Sequence, residues 1–218
     1  MTVTLVSSPS IPADELAGKA AAMCYDAKNT DRARDSAMQS GHESIAEHAN
    51  FTFRIDGVSR VLLAQLTRHR IASFSVISQR YCRITNADVI MPETIKCKKW
   101  HDEYEKLARK CVCLYQLMID DDESGEAVPR EDARYILPQG VSCKLMLTMN
   151  ARELRHFFRV RCCNRAQWEI RALADEMLSL CKEVAPALFA DAGCACMAGK
   201  PCPEGKRSCG NPRKMMEV

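Results

Sequence analysis

Hydrophobic and polar residues alternate in three places, and each predicts a strand. Thr2–Val6 reads as a short one. Phe51-Thr52-Phe53-Arg54-Ile55-Asp56 alternates strictly, giving a strand with one buried face. Val141, Cys143, Leu145, Leu147 and Met149 alternate with Ser142, Lys144 and Thr148 in the same way. Between these runs the period lengthens. Pro12-Ala13-Asp14-Glu15 opens a helix through about Cys24, with proline where the first turn tolerates it. A polar helix over Asp31–Gln39 stops at Ser40-Gly41. Val58, Val61, Leu62 and Leu66 follow helical spacing, and if that helix persists Gln65, Arg68 and His69 share one face.

The cleanest helical run is Trp100, Tyr104, Leu107, Cys111, Leu114 and Met118, which predicts the longest helix and a row facing the core or another subunit. The acidic run Asp120–Glu123 opposes the dipole at that helix's end, so most of it reads as solvated loop. Val128–Asp132 starts a short helix that Pro138 closes. Asn150, with Glu153 three residues on, reads as a cap with a reciprocal carboxylate. Ile170, Leu173, Met177, Leu180, Cys181 and Val184 mark a last long helix ending before Pro186. Helices outnumber irregularly spaced strands, so the class is α+β, with a mixed or antiparallel sheet flanked by long helices.

With 218 residues, 47% hydrophobic and 27% charged, the chain suits one domain with a sizeable core and a tail. A net charge of +3 is too small to imply nucleic-acid binding. Arginines nonetheless crowd 68–83 and 152–171, which points to a cationic site rather than a cationic surface. The N-terminus lacks a basic, then apolar, leader, and no apolar stretch approaches spanning length. The expected location is therefore the cytoplasm, with no membrane partner. In that reducing setting Cys111, Cys113, Cys143 and Cys181, among 13 cysteines, read as small buried hydrophobes.

The chemistry concentrates in Gln65-Leu66-Thr67-Arg68-His69-Arg70, seven more residues, and then Ser78-Gln79-Arg80-Tyr81. Guanidinium forks of this kind match phosphate oxygens and planar carbonyl edges. Three further segments follow in order or precede it: Gly41-His42-Glu43-Ser44-Ile45-Ala46-Glu47-His48, Ala133-Arg134-Tyr135-Ile136-Leu137-Pro138, and Asn150-Ala151-Arg152-Glu153-Leu154-Arg155-His156 running on to Arg161 and Arg165–Arg171.

Together these segments resemble the flavin-dependent thymidylate synthases over about residues 13–190, leaving 191–218 as a Cys/Gly/Pro-rich tail. The resemblance implies reductive methylation of dUMP to dTMP, with FAD as carrier, methylenetetrahydrofolate as carbon donor and NADPH as reductant. It also implies a homotetramer whose active sites draw on several subunits. Carried over by motif, Gln65, Arg68, Ser78, Gln79, Arg80, Arg134 and Arg161 contact dUMP. Ser44, Glu47, Arg68, His69, Arg70, Asn150, Arg152, His156 and Arg165 fall on flavin positions, and His42 and Tyr81 on the folate and flavin face. Arg161 would stabilise negative charge developing on the uracil. Ser78, the other residue placed at the reacting centre, has no adjacent base, so it reads as a binder rather than a nucleophile. The family often has a glutamate two residues before that serine; here stands Val76, and a carboxylate contact is absent or supplied from elsewhere. His156 stands where some members have asparagine.

Metal is not expected. His42-Glu43 and Glu47-His48 do not form His-Glu-x-x-His, and histidines six apart split on a helix. The one competing metal reading is the tail, where Cys194, Cys196, Cys202 and Cys209 could wrap zinc or an iron–sulfur cluster without the usual Cys-x-x-Cys knuckles. A metal-binding regulatory protein built on that tail is one alternative. The other is a nucleic-acid module using Arg152, Arg155, Arg159, Arg161, Arg165 and Arg171; these share no single stripe and lack interleaved stacking aromatics.

Overall fold

The computed structural model describes residues 1–84, 89–121 and 125–214, so Asp122 and Glu123 of the acidic run lie outside the described residues. The class is α+β. Strands β1 (Thr2–Ser7), β2 (Asn50–Ser59), β3 (Ala72–Val76) and β4 (Ser142–Asn150) make one antiparallel sheet in the order β1-β2-β4-β3. Helices α1 (Ala13–Tyr25), α2 (Thr30–Gln39) and α3 (Arg60–Leu66) lie in the first part of the chain. The later part carries α4 (Glu93–Lys96), α5 (His101–Asp120), α6 (Arg130–Ala133), α7 (Ala151–Arg161) and α8 (Trp168–Val184). Two compact units divide the chain: Met1–Ile55, Leu66–Phe74 and Met146–Val218 in the first, Asp56–Gln65 and Ser75–Leu145 in the second.

In the first unit, alternation does what it predicts. Phe51, Phe53 and Ile55 of β2 and Leu147 and Met149 of β4 are buried, while Thr52 and Thr148 pair across the strands through their hydroxyls at 2.9 Å. Leu154, Phe157 and Phe158 of α7 and Ile170, Leu173 and Met177 of α8 supply the helical half of this core. Phe189 closes it with edge-on contacts to Phe51 at 5.6 Å and Phe158 at 5.9 Å. Emptying any one of these phenylalanine sites removes about 3–5 kcal/mol. α1 and α2 approach closely because Gly18 has no side chain; a Cβ there would stand 3.0 Å from the Thr30 carbonyl oxygen.

The second unit is built around α5. Its Tyr115 is fully buried with Ile84, Ala133 and Val141, and its hydroxyl accepts the Ile84 N–H at 3.3 Å. Of the row expected to face the core or another subunit, Met118 packs against this cluster and the rest is largely left outside it. Of α5 only Ala108 and Tyr115 are buried, whereas Trp100 before it and Leu107, Leu114 and Leu117 along it are exposed. Tyr115, one position from the row, carries the packing, because the unit is small and only one edge of a 20-residue helix meets it. Cys143 and Cys181 are buried as expected, but Cys111 is only half-buried and Cys113 is exposed for the same reason.

Two local expectations are corrected. The helix through Leu62 does not continue to His69; α3 ends at Leu66, and His69 N–H closes a tighter turn on the Leu66 carbonyl at 3.1 Å. Val58 belongs to β2. The seven residues after Arg70 also hold a strand that the sequence did not announce, β3, in which Ala72, Phe74 and Val76 alternate with Ser73 and Ser75. Serine on the outward face masks a strand whose inward face is apolar.

Candidate active site

The first unit gathers most of the expected flavin residues around the start of α7. Asn150 caps that helix, its side-chain oxygen accepting the Glu153 N–H at 2.9 Å. The reciprocal half of the expected capping box is missing. Glu153 turns inward and accepts from His69 Nδ1 at 3.0 Å, with both groups buried. On the other side of the ring, Arg161 Nε donates to His69 Nε2 at 3.2 Å. Since a guanidinium only donates, Nε2 must be the bare nitrogen and Nδ1 must carry the proton. The imidazole is thus fixed in one tautomer, wedged edge-on against Phe157 at 5.0 Å. Burial is the largest influence on His69 and lowers its pKa; Arg161 pushes the same way, against the opposing hydrogen bond from Glu153.

Other flavin positions meet here. Arg152 is ion-paired with Glu47, and the His156 ring lies 5.8 Å from His69 while its Nδ1 accepts from Arg159 at 2.8 Å. His69, Glu153 and His156 hold ligand atoms within 4.8 Å of one another, the sole such trio among the described residues. Arginine donors already take the free lone pair of each histidine, so the trio suits hydrogen bonding rather than a cation. Ser44, His42, Arg68 and Arg70 are exposed, and His42 stands edge-on to Tyr25 at 6.5 Å. Arg165 is engaged by the tail, through the Arg207 carbonyl and, at 3.7 Å, Glu204.

The second unit carries Gln65, Ser78, Gln79, Arg80 and Arg134 of the residues expected on the nucleotide, while Arg68 and Arg161 belong to the first. Ser78 Oγ accepts the Arg80 N–H at 3.2 Å, a local turn that aims the loop. The Arg80 fork closes on Glu131 through Nε at 2.8 Å and Nη2 at 2.7 Å, and its guanidinium stands over the Tyr81 ring at 5.4 Å. Arg134 donates to the Glu131 backbone carbonyl at 3.0 Å, so one glutamate organises both phosphate-type arginines. Gln65 is half-buried in the same unit. Between Ser78 and Arg80, Gln79 is only 8% exposed, and its amide nitrogen has no hydrogen-bond partner among the described residues. A buried donor left unpaired costs about 1–3 kcal/mol, so a ligand acceptor at this position has a site prepared for it.

Two functional residues escape the sequence. Glu153 looks like half of a capping box, and Glu131 looks like an ordinary acidic residue in a helix's first turn. Glu131 supplies Arg80 with a carboxylate in a chain that has Val76 before the motif serine. Of the tail cysteines, Cys194 and Cys196 come together at 3.4 Å, while Cys202 and Cys209 are exposed and Cys209 donates to the Asn211 carbonyl.

An α+β chain with one arginine-bound imidazole cluster and one arginine loop around an unpaired amide is the class of protein the geometry defines. The family model described as "Thymidylate synthase complementing protein" matches residues 5–187. Flavin-dependent thymidylate synthase of Geobacter sulfurreducens is 46% identical over 214 residues, covering 91% of this chain and 90% of the relative. Those of Nitratidesulfovibrio vulgaris and Clostridium tetani are 47% and 44% identical, over 80% and 83% of this chain and 74% and 77% of their own length. The chain belongs to the flavin-dependent thymidylate synthase family.

Proposed function

We propose that the protein converts dUMP to dTMP, using FAD, with methylenetetrahydrofolate as carbon donor and NADPH as reductant. FAD, when bound, supplies the redox chemistry and carries the one-carbon unit. The chain's own residues bind, orient and polarise. Arg68, Arg70 and Arg152 offer exposed guanidinium groups for the pyrophosphate, beside Ser44, Glu47, His156 and the capped start of α7. Arg165 joins them where the tail leaves it available. His69 presents a fixed neutral ring, and His42 and Tyr81 face the folate side.

Arg161 is the residue we place at the uracil edge, where its cation stabilises charge developing on the base. Bonding to His69 fixes the guanidinium's direction. Ser78, Arg80 and Arg134 hold the phosphate, Gln65 and Arg68 reach the nucleotide, and Gln79 donates to one of its oxygens. In the free protein Glu131 occupies Arg80 as a phosphate would. That pair is about half exposed, with side-chain exposures of 51% and 48%, so exchanging carboxylate for dianion costs little.

The observation that carries the nucleotide site is Gln79, buried between two residues of the family motif and without a partner for its amide nitrogen among the described residues. Exposed Trp100, Leu107, Leu114 and Leu117 support assembly into a homotetramer, since such a row is costly to leave in water. We place the catalytic domain at 1–190, with 191–218 as its tail, and the enzyme in the cytoplasm; among the described residues no helix is long and apolar enough to cross a membrane. Formation of dTMP from dUMP, assayed with all three co-reactants, tests the reading. Arg161→Ala should abolish product while FAD binding and assembly persist, and near-normal turnover in that variant would overturn its role.

A further inference from the structure

The tail holds a thiol pair that the synthase reaction does not use. Cys194 Sγ and Cys196 Sγ stand 3.4 Å apart, separated in sequence by Ala195 alone. Gly193, at φ 136, permits the turn that brings them together. The two sulfurs differ in setting. Cys194 is buried, whereas Cys196 is half-buried and also receives the Arg213 N–H at 3.3 Å. Burial, followed by the bond to its neighbour, pushes the Cys194 thiol up to about 11. Burial also acts upward on Cys196, but the Arg213 N–H and the Cys194 S–H outweigh it and bring that thiol below its ordinary value. Of the two, Cys196 is the sulfur that ionises more readily and is the more accessible, and Cys194 lies buried 3.4 Å behind it, the arrangement of an attacking and a resolving cysteine.

This pair also fastens the end of the chain. Arg213 reaches from it to the Asp175 carboxylate, at 2.8 and 3.0 Å, and to the Cys162 carbonyl at 2.7 Å. Asn164 and Arg165 hold the same segment through the Asn211 and Arg207 carbonyls.

We propose that Cys194 and Cys196 are a peroxide-sensitive dithiol site whose closure to a disulfide loosens the C-terminal segment. The chemistry balances with peroxide as oxidant. The Cys196 thiolate attacks the O–O bond, giving a sulfenic acid and hydroxide. The Cys194 thiol then displaces the sulfenic hydroxyl as water, leaving one S–S bond; two electrons pass from the sulfurs to peroxide. A thiol reductant reverses it. Closure draws the Cys196 sulfur into the S–S bond and away from the Arg213 N–H that it accepts at 3.3 Å, weakening the anchor at its root.

The test is full-length protein treated with dilute hydrogen peroxide, followed by alkylation, peptide mass mapping and limited proteolysis. The expected result is a Cys194–Cys196 disulfide forming before exposed Cys202 and Cys209 react. Cleavage within 200–214 should rise up to roughly tenfold, the scale of losing one hydrogen bond. Both effects should vanish with dithiothreitol and in Cys196→Ser, and persist in Cys202→Ser. Should Cys196→Ser fold poorly, Cys194→Ala serves the same comparison. Preferential oxidation of Cys202 or Cys209, or a disulfide that leaves tail cleavage unchanged, would overturn the proposal. Stoichiometric zinc held by Cys194 and Cys196 in the purified protein would do so too.

Discussion

Glu153 fixes His69: a buried carboxylate oxygen accepts from the ring's Nδ1 at 3.0 Å, which leaves Nε2 to receive Arg161 at 3.2 Å. A carboxylate, an imidazole and a guanidinium therefore act as one unit across α7, with Glu153 setting through the ring the direction in which Arg161 is held. Glu153→Ala should strand the Nδ1 proton in the core and cost about 1–3 kcal/mol in stability. FAD affinity and turnover should fall together. Glu153→Gln, which keeps an acceptor oxygen, should recover most of the affinity. Equal loss in both variants would show that charge rather than ring position matters.

The same ring makes stability pH-dependent, with a definite sign. Burial and Arg161 depress the His69 pKa below its ordinary 6.5, against the pull of Glu153, with His156 adding to the depression. Above 6.5 both folded and unfolded chains hold it neutral and it contributes no slope. As pH falls below that value the unfolded chain binds a proton that the folded chain refuses, so stability declines until the folded pKa is passed. Melting temperatures across this range should fall more steeply for the native protein than for His69→Asn. Parallel curves would contradict the assignment.

Arg80 and Glu131 form an exposed pair, so breaking it should hardly change stability, by about 0–1 kcal/mol. Nucleotide binding is another matter. Arg80→Ala should weaken dUMP by roughly 10- to 100-fold, the value of a charged hydrogen bond to phosphate, and Arg80→Lys should restore only part of it. Isothermal titration with dUMP and, as a control, deoxyuridine separates phosphate recognition from base recognition. An equal effect on both ligands would place Arg80 away from the phosphate.

Gln79 gives a prediction in two directions. Gln79→Met keeps the volume and removes the unpaired buried donor, so the free protein should be unchanged or more stable, by up to about 1–3 kcal/mol. The variant should nonetheless bind dUMP more weakly. Thermal unfolding with and without dUMP reads both effects. A destabilised free protein would mean that the amide already has a partner.

Legibility in the sequence followed periodicity. β2, β4, α1, α7 and α8 could be read because their buried residues recur at two- or four-residue spacing, and the Asn150 cap because its partner stands three positions on. β3 was hidden by serines, and the end of α3 at Leu66 precedes a tighter turn that places His69 between Glu153 and Arg161, partners far away in sequence. The arginines were legible as chemistry. Their organisers were not, since Glu153 and Glu131 meet their partners 84 and 51 residues away. Pairings at that separation leave no local pattern.

The most direct measurement is the visible absorption spectrum of the protein reconstituted with FAD and titrated with dUMP, repeated with Arg80→Ala. The account predicts a bound-flavin spectrum that shifts saturably with dUMP, at much higher dUMP in the variant. No flavin binding, or a flavin spectrum indifferent to dUMP, would contradict it.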